Sequence, residues 1–412
     1  MRGFAERKDV EEVDHLLASL CSPLPAERVP LLECVGRVLA EDVASHVNVP
    51  GFARSAMDGY ALRGEDTFGA SEYSALPFSV IGEAFPGRAF GGRVGEAEAV
   101  RIMTGAPIPA GADAVVKAEV CEERDGRVLL HEAVAPRKNI GAVGEDIRAG
   151  EVVLRTGRRL RPQDAGLLAS IGCSSIACVR RPRVRLVITG DELLAPGSTP
   201  DGVRIVDSNS VVLRALVARD GGALLPFELI PDQPARIAAV LTGGDADVVL
   251  VSGGSSVGAE DHAPRLLAEH GELLFHGVSM RPSSPAGGGR IGDALVFLLP
   301  GNPVSCLCAY EFFAGPAIRA LGGRTRAWPH RRVKAVLARK LSSEVGRTDY
   351  VRVAFEGGRI VPIATAGASI LSSTVRADGA VIVPRELEGM PEGAEVEVLL
   401  YDDEPPAGGE RP

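Results

Sequence analysis

The segment DVVLVSGGSSVGAED, residues 247–261, joins a continuous apolar run to a loop rich in glycine and serine. A short apolar run bounded by turn residues is typical of a strand that is buried on both faces of a parallel sheet. The glycines allow backbone N–H groups to approach an anion closely, and three serine hydroxyls add further donors. The segment therefore predicts a buried strand whose carboxyl end carries an anion-binding loop.

The chain on either side of this segment alternates between strand-like and helix-like patterns from Pro182 to Leu321. This order predicts a parallel sheet with helices on both faces. The predicted strands are 183–190, 223–230, 247–254 and 294–301, and the predicted helices are 207–221, 234–243, 261–271 and 304–321.

The flanking regions have other patterns. Helical stripes are predicted for 9–20, Leu31–Leu39 and Pro162–Ser170. Short apolar runs separated by Gly, Pro and Asp predict two β-rich modules, one before and one after the α/β region. The predicted fold class is therefore α/β and multidomain.

Composition limits the functions that are plausible. The 45 basic and 54 acidic residues give a net charge of −9, which disfavours broad contact with nucleic acid or an anionic membrane. The seven cysteines are scattered and form no CxxC pair, which favours a reducing compartment. No apolar run is expected to reach the ~18 residues of a membrane helix. We therefore predict a soluble, cytoplasmic protein.

Three loops follow predicted strands: TGDEL (189–193), SGGSSVG (252–258) and PGNPVS (300–305). Open parallel sheets bind ligands at the carboxyl ends of their strands, and a helix N-terminus such as the one after Asn302 attracts anions. Together the loops predict phosphate recognition, although plain tight turns are the alternative for each one.

Glu192, Asp232 and Asp261 are acidic residues on loops at this same edge. Carboxylates beside an anionic ligand would repel it unless a divalent cation lay between them, and Mg²⁺ prefers oxygen ligands. Helix N-capping is the alternative for Asp232 and Asp261. Three polar residues elsewhere, Asp58, Thr104 and Asp146, lie in Gly-rich segments that hairpin turns alone would also explain.

The whole set of motifs, in its order and spacing, resembles the MoeA family of molybdopterin molybdenumtransferases, which is related to the E-domains of gephyrin and of a plant homologue. The resemblance extends from about residue 9 to 401 and rests on SAMDGYA, RIMTGAPIPAGADAVV, GEDI, TGDELLAPG, VDSNS, DVVLVSGGSSVGAED and LPGNPVS. It implies a linking domain (1–50 plus 142–180), an inserted β-rich domain (51–141), a MogA-like α/β sandwich (181–322), a small C-terminal β-barrel (323–401) and a tail (402–412).

The resemblance also implies a reaction and its partners. Molybdenum from molybdate would enter adenylylated molybdopterin with release of AMP, in an Mg²⁺-dependent step. The protein would be a homodimer whose active cleft is shared between subunits, and it would contact the molybdopterin adenylyltransferase transiently.

Residue roles carry over by motif. The implied catalytic residues are Asp58, Thr104, Asp146, Glu192, Asp232 and Asp261, and the last three are also the implied metal ligands. The implied cofactor-binding residues are Ser252, Gly253, Gly254, Ser256, Gly258, Arg281, Gly301, Asn302, Ser305 and Arg352.

One departure from the family pattern affects the predicted oxyanion site. The family's usual KPGKP segment is Arg281-Pro282-Ser283-Ser284-Pro285 here, so the second lysine is replaced by the uncharged Ser284. Losing that charge would weaken oxyanion binding by about 1–3 kcal/mol if no other cation replaced it. Alternatives to the enzyme are therefore a non-catalytic pterin carrier or a scaffold of the gephyrin type, and a tungstate-preferring paralogue is a variant of the enzyme hypothesis.

Overall fold

The computed structural model describes residues 7–254, 262–364 and 367–402. Within them the chain divides into two units. The first comprises the chain up to Glu27, Gly36–Val38 and the chain from Cys178 onward, and the second comprises Arg28–Val35 and Leu39–Ala177.

A seven-stranded sheet forms the centre of the α/β part of the first unit. In spatial order its strands are Ala223–Leu224 with Leu229–Ile230, Arg183–Thr189, Val248–Ser252, Ala294–Leu299, Gly287–Ile291 and Glu272–His276. The strands up to Ala294–Leu299 are parallel, but the last two are antiparallel. The sheet is therefore mixed: the predicted parallel arrangement holds for the strands up to Ala294–Leu299 and not for the two at this side.

One of the two additional strands, Gly287–Ile291, was missed because of its glycines. Gly287–Ile291 begins with three glycines, a composition that normally indicates a turn. A Cβ atom on Gly289 would lie 1.9 Å from the carbonyl oxygen of Glu272, and one on Gly288 would lie 2.7 Å from the ring of Phe275. Glycine is needed here because the neighbouring strand approaches too closely for a side chain.

Helices cover both faces of this sheet, as the alternation predicted. Alternate strand residues such as Leu250 and Val251 belong to different apolar clusters. One face packs against Val10–Leu20, Asn209–Asp220 and the continuous helical stretch Pro303–Ala309, Tyr310–Ala314 (a π-turn) and Gly315–Leu321. The other face packs against Pro234–Leu241 and Ala263–His270.

The helical stretch Pro303–Leu321 is a second correction. Its 19 residues make it the one helix among the described residues that is long and apolar enough to cross a membrane by composition, whereas the sequence was expected to contain no such run. The apolar part of this helix is 89% buried inside the fold, as expected for a helix in the core.

The predicted helix Leu31–Leu39 does not form. Only Leu31–Glu33 makes a single 3₁₀ turn, and Leu32 is exposed. Gly36 adopts a φ of 81°, a left-handed conformation that ends a right-handed helix.

The C-terminal part of the first unit is a six-stranded sheet. Its order is Met280–Arg281, Thr348–Glu356, Gly379–Val383, Glu395–Leu400 and Arg332–Val336, and Arg359–Ala364 pairs with Thr348–Glu356. A bridge between Leu337 and Ile360 joins the two sides of the sheet, so the strands follow one another around a small barrel. Met280–Arg281 comes from the α/β part and places Arg281 opposite Asp349.

The shorter elements of the first unit are the strands Leu193–Leu194, Ile205–Val206, Leu341–Ser342 and Gly389–Met390 and the helix Ser372–Val375.

The second unit is β-rich. Its six-stranded sheet has the order Ala114–Lys117, Gly59–Leu62, Glu98–Ile102, Leu76–Ala84, Arg127–Leu130 and Cys121–Arg124. Its other elements are the helix Pro162–Ser170, at its predicted position, the 3₁₀ turns Gly64–Thr67 and Ala118–Val120, and the strands Val43–Ala44, Arg54–Ser55, Ile140–Gly141 and Val152–Leu154. The strands Ala26–Pro30 and Ser175–Val179 include residues of both units.

Candidate functional site

Three adjacent parallel strands end at one edge of the α/β sheet. Their register pairs Ile188 with Ser252 and Ser252 with Leu299, so the loops that follow them lie side by side. These loops line a cavity of about 610 Å³. We call it the acidic cavity, and its lining includes Glu192, Asp207, Asp232, Ser252, Gly253, Gly254, Gly301 and Asn302.

The loop after Ser252 approaches the neighbouring strand closely. Gly253 has a φ of +102°, and a Cβ atom on it would lie 2.1 Å from the carbonyl oxygen of Thr189. Gly254 also has a positive φ, +55°. Glycine is required at the first position, because any side chain would force the two strand ends apart.

Asp232 and Glu192 both line the acidic cavity. The hydroxyl of Thr189 donates a hydrogen bond to Asp232 Oδ1. The helix that follows begins at Pro234 with Gln233 as its N-cap, so Asp232 does not have the capping position considered for it. The predicted residues Ser256, Gly258 and Asp261 lie outside the described residues.

Asp207 is an acidic residue of this cavity that sequence reasoning missed. It is 3% exposed, and its Oδ1 accepts a hydrogen bond from the backbone N–H of Ser210 at 3.1 Å. Its Oδ2 is buried and has no hydrogen-bond partner among the described residues. The signal was the VDSNS segment at the start of the helix Asn209–Asp220, where an aspartate looks like an ordinary cap.

The donor set of the acidic cavity fits Mg²⁺. No group of three or more His, Cys, Asp or Glu that could hold a metal occurs within 7–254, 262–364 and 367–402, and Asp261 falls outside these ranges. Protein sites for Mg²⁺ commonly supply only one or two carboxylates, with waters and substrate phosphates completing the shell. Glu192 and Asp232, which both line the cavity, meet this requirement.

A second cavity of about 300 Å³ lies next to the first and shares Pro285, Pro300 and Asn302 with it. We call it the arginine cavity, and its other lining residues include Arg281, Ser284, Ser305, Arg352, Gly367 and Ala368. Because Arg352 is contributed by the C-terminal barrel, this cavity has a cation that does not depend on the segment around Ser284.

Arg281 is largely neutralised in this cavity. Its Nη2 donates to Asp349 Oδ2 at 2.6 Å, and Arg347 Nε donates to the other oxygen of the same carboxylate at 2.9 Å. Asp349 is 1% exposed, so its carboxylate is shielded from water, whereas the Arg281 side chain is 30% exposed. Arg352 is also 1% exposed and lines the cavity beside Ser305. The structure therefore places Arg281, Ser305 and Arg352 together, although Arg281 already has an acidic partner.

The start of the helix Pro303–Ala309 is covered by a loop of the barrel. The backbone N–H of Val304 donates to the carbonyl oxygen of Ala368 at 3.0 Å, and the hydroxyl of Ser369 donates to Asn302 Oδ1 at 2.8 Å. One of the N–H groups expected to bind an anion is thus already bonded. Cys306 on this helix is 1% exposed, and burial raises the pKa of its thiol to about 12, as expected for a packing residue.

Asp58 and Thr104 meet in the second unit. Gly59 pairs with Ile102, which brings the loops beside these residues together. The backbone N–H and the hydroxyl of Thr104 both donate to Asp58 Oδ1 at 2.7 Å, and these bonds lower the pKa of Asp58. Asp146 is exposed, and no hydrogen bond of the described residues joins its side chain to either of the other two.

Family models match most of the chain. The model of the MoeA N-terminal region (domain I and II) matches residues 8–172, a model described as a probable molybdopterin binding domain matches 185–320, and the model of the MoeA C-terminal region (domain IV) matches 334–401.

Individual proteins match at full length. The molybdopterin molybdenumtransferase of Haemophilus influenzae is 34% identical over 94% of this chain and 96% of its own length. Molybdopterin molybdenumtransferase 2 of Mycobacterium tuberculosis is 33% identical over 95% of this chain and 99% of its own length. Crystal structures of the MoeA protein of Pyrococcus horikoshii, 33% and 34% identical, superimpose with TM-scores of 0.83 and 0.78 over 96% of this chain and 100% of theirs. The chain therefore belongs to the MoeA family, the molybdopterin molybdenumtransferases of molybdenum cofactor biosynthesis.

Proposed function

We propose that this protein inserts molybdenum from molybdate into adenylylated molybdopterin and releases AMP. The observation that carries the proposal is the adjacency of the acidic cavity and the arginine cavity, which share Pro285, Pro300 and Asn302. The reaction brings together two anionic groups: a phosphoanhydride, which is cleaved and needs a cation, and an oxyanion, which needs fixed positive charge. Two adjoining cavities of opposite character suit these two requirements.

In this proposal Glu192 and Asp232 of the acidic cavity hold Mg²⁺, together with Asp261, which is assigned from the motif and lies outside the described residues. Bound Mg²⁺ neutralises phosphate charge and orients the phosphoanhydride. The backbone around Gly253 and Gly254 contacts the phosphate oxygens, since glycine allows close approach. Ser252 and Gly301 also belong to this surface, and Ser256 and Gly258, which lie outside the described residues, are proposed as cofactor-binding residues from the motif alone.

In the arginine cavity, Arg352 and Ser305 bind molybdate, with Arg281 as a further donor. Arg352 is almost fully buried, so its charge is weakly screened by water, and charge-assisted hydrogen bonds to an oxyanion are about twice as strong as neutral ones. Arg352 remains as a cation of this cavity although Ser284 replaces the family's second lysine. This favours the catalytic interpretation over a carrier that binds pterin without molybdate.

The protein acts as a cytoplasmic homodimer in this proposal. The four-domain division inferred from the motifs applies, and Asp58, Thr104 and Asp146 of one subunit complete the cleft of the other. Transient contact with the molybdopterin adenylyltransferase supplies the adenylylated substrate.

The test is an assay of the purified protein with adenylylated molybdopterin, Mg²⁺ and molybdate. We expect AMP release together with a product that activates a molybdenum-free apoenzyme. Replacing Asp232 by Asn should abolish both, whereas Asp245→Asn, an exposed ion-pair variant, should leave both unchanged. Pterin binding without AMP release would support the carrier instead, and competition between molybdate and tungstate would reveal a preference for tungstate.

A further inference from the structure

The arginine cavity contains two buried donors that no described residue pairs with. Ser284 Oγ and Arg281 Nε are both shielded from solvent, and neither has a hydrogen-bond partner within the part of the chain that the structure describes. Both residues line this cavity. A buried hydroxyl or N–H without a partner is destabilising, and such groups are uncommon in folded proteins.

Ser284 Oγ and Arg281 Nε lack a hydrogen-bond partner among the described residues for different reasons. Arg281 donates to Asp349 through its Nη2, and its Nε–H has no acceptor among the described residues. Ser284 makes one backbone bond, in which its carbonyl oxygen accepts from the N–H of Val278 at 2.9 Å, but its hydroxyl does not take part in it. The neighbouring Ser283, in contrast, donates its hydroxyl to the carbonyl oxygen of Ser305. The segment is thus fixed by Ser283 and Val278, while Ser284 Oγ is not needed for the fold.

Arg281 Nε can only donate a hydrogen bond and Ser284 Oγ can donate one, so an acceptor suits both groups. Together with Arg352 the cavity offers an anion a cation and two further donors. The net charge on the side of Ser284 is small, because the two arginines there, Arg281 and Arg347, face two carboxylates: Asp349 pairs with both, and Glu344 pairs with Arg347.

We infer that Ser284 is a specificity-determining residue that donates a hydrogen bond to the bound oxyanion. The cavity then distinguishes ligands by their tetrahedral shape more than by whether they carry one or two negative charges. This inference rests on the proposed function of the arginine cavity. A hydroxyl recognises any oxyanion oxygen, whereas a cation at this position attracts a dianion twice as strongly as a monoanion, because Coulomb energy is proportional to charge.

The experiment measures binding of molybdate, a dianion, and perrhenate, a monoanion of similar tetrahedral shape, to the full-length protein by titration calorimetry. Ser284→Ala removes the donor and should weaken both by about the same factor, on the order of tenfold. Ser284→Lys adds a charge and should tighten molybdate by about the square of the factor for perrhenate. Ser343→Ala is the matched control, because Ser343 Oγ is also buried without a partner among the described residues but does not line this cavity.

The outcomes separate this inference from the function on which it rests. If the unaltered protein binds neither oxyanion, the proposed oxyanion cavity is wrong. If it binds molybdate and Ser284→Ala binds it equally well, the cavity stands and the role of Ser284 is overturned. The Ser284→Lys variant gives a second check. If it increased the affinity for molybdate and for perrhenate by the same factor, a charge at position 284 would not distinguish a dianion from a monoanion, and the inference would be contradicted.

Discussion

Asp207 is a buried carboxyl group whose hydrogen bonds are incomplete within the described residues. The side chain is almost fully buried, and among the described residues only one of its two oxygens has a partner, the backbone N–H of Ser210. Burial of an unpaired carboxylate oxygen is unfavourable unless a cation or donor meets it. Its position in the acidic cavity indicates that a ligand, or a cation bound with it, supplies that contact.

We predict that Asp207→Asn lowers AMP release at least ~10-fold and raises the Mg²⁺ concentration needed for half-maximal rate. Asparagine keeps the size and the oxygen that accepts from Ser210, so the helix start should persist. Asp201→Asn is the control, because Asp201 is exposed and paired with Arg204 nearby. The measurement is the Mg²⁺ dependence of the initial rate, and an unchanged dependence would remove Asp207 from the metal-binding group.

From the local pattern alone, without the resemblance to a family, residues of the site could be predicted only where they follow a recognisable strand. Glu192 and Asp232 lie just after apolar runs, so their approach to one edge could be inferred. Asp349 could not be inferred, because it lies in the barrel and meets Arg281 only through the pairing of two distant strands. Its neutralising effect on Arg281 is a property of tertiary structure, and no local pattern encodes it.

At the scale of elements, the loop Gly367–Ile370 lies between the two cavities. Gly367 and Ala368 line the arginine cavity, and Ser369 lines the acidic cavity. Its two bonds to the helix start, Ala368 to Val304 and Ser369 to Asn302, fix where Asn302 lies. The loop therefore positions a residue that both cavities share.

We predict that Ser369→Ala lowers kcat for AMP release several-fold, since losing one exposed hydrogen bond costs on the order of 1 kcal/mol. The dissociation constants of molybdate and adenylylated pterin should stay within about twofold. Ser369→Thr keeps the hydroxyl and should restore the rate. Single-turnover kinetics combined with binding titrations separate the two effects. Weaker binding with unchanged kcat would contradict a positioning role.

The elements that sequence reasoning found and missed differ in composition. Val248–Ser252 and Ala294–Leu299 are continuous apolar runs, and their positions were predicted to within two residues. Gly287–Ile291 was missed because its glycines serve close strand packing, which cannot be distinguished locally from a turn. That omission also hid the antiparallel side of the sheet.

At the scale of the whole first unit, a buried ionic group links the α/β layer to the barrel. Glu311, 3% exposed, accepts two hydrogen bonds from Arg219 at 2.6 and 2.9 Å, and His330 Nε2 lies 3.4 Å from it. His330 Nδ1 in turn contacts the carbonyl oxygen of Leu400 at 2.9 Å. Burial alone would raise the pKa of Glu311, but His330 and Arg219 outweigh it and lower the pKa to about 2.

A lowered pKa in the folded state makes this carboxylate a source of stability at high pH. The contribution is complete above the ordinary value of 4.5 and is lost as the pH falls towards 2. We predict that the difference in unfolding free energy between the unaltered protein and Glu311→Gln, on the order of 3 kcal/mol at pH 6, shrinks steadily below pH 4.5. Urea unfolding at several pH values measures it, with Glu397→Gln of an exposed ion pair as control. A difference that does not change with pH would refute the assignment.

The proposed homodimer makes a further prediction that requires two chains. If Asp58 completes the cleft of the partner subunit, Asp58→Asn and Asp232→Asn damage the same site from different chains. Each variant alone should be inactive. The two variants can be co-expressed with different affinity tags, and the mixed dimer can be purified. In that dimer one site carries both substitutions and the other site carries neither. Activity should therefore return to about half that of the unaltered dimer.

The arrangement in which each chain builds its own complete site predicts the opposite. Both sites of the mixed dimer would then carry one substitution, and the mixed dimer would be as inactive as its parents. A mixed dimer of Asp58→Asn and Thr104→Val is the matched control, because these residues are joined by hydrogen bonds at 2.7 Å and belong to the same contributed surface. That pair should not regain activity, since every site in the mixed dimer then receives a damaged Asp58–Thr104 surface. Recovery in the first dimer and none in the second would establish that the second unit acts on the cavities of another chain.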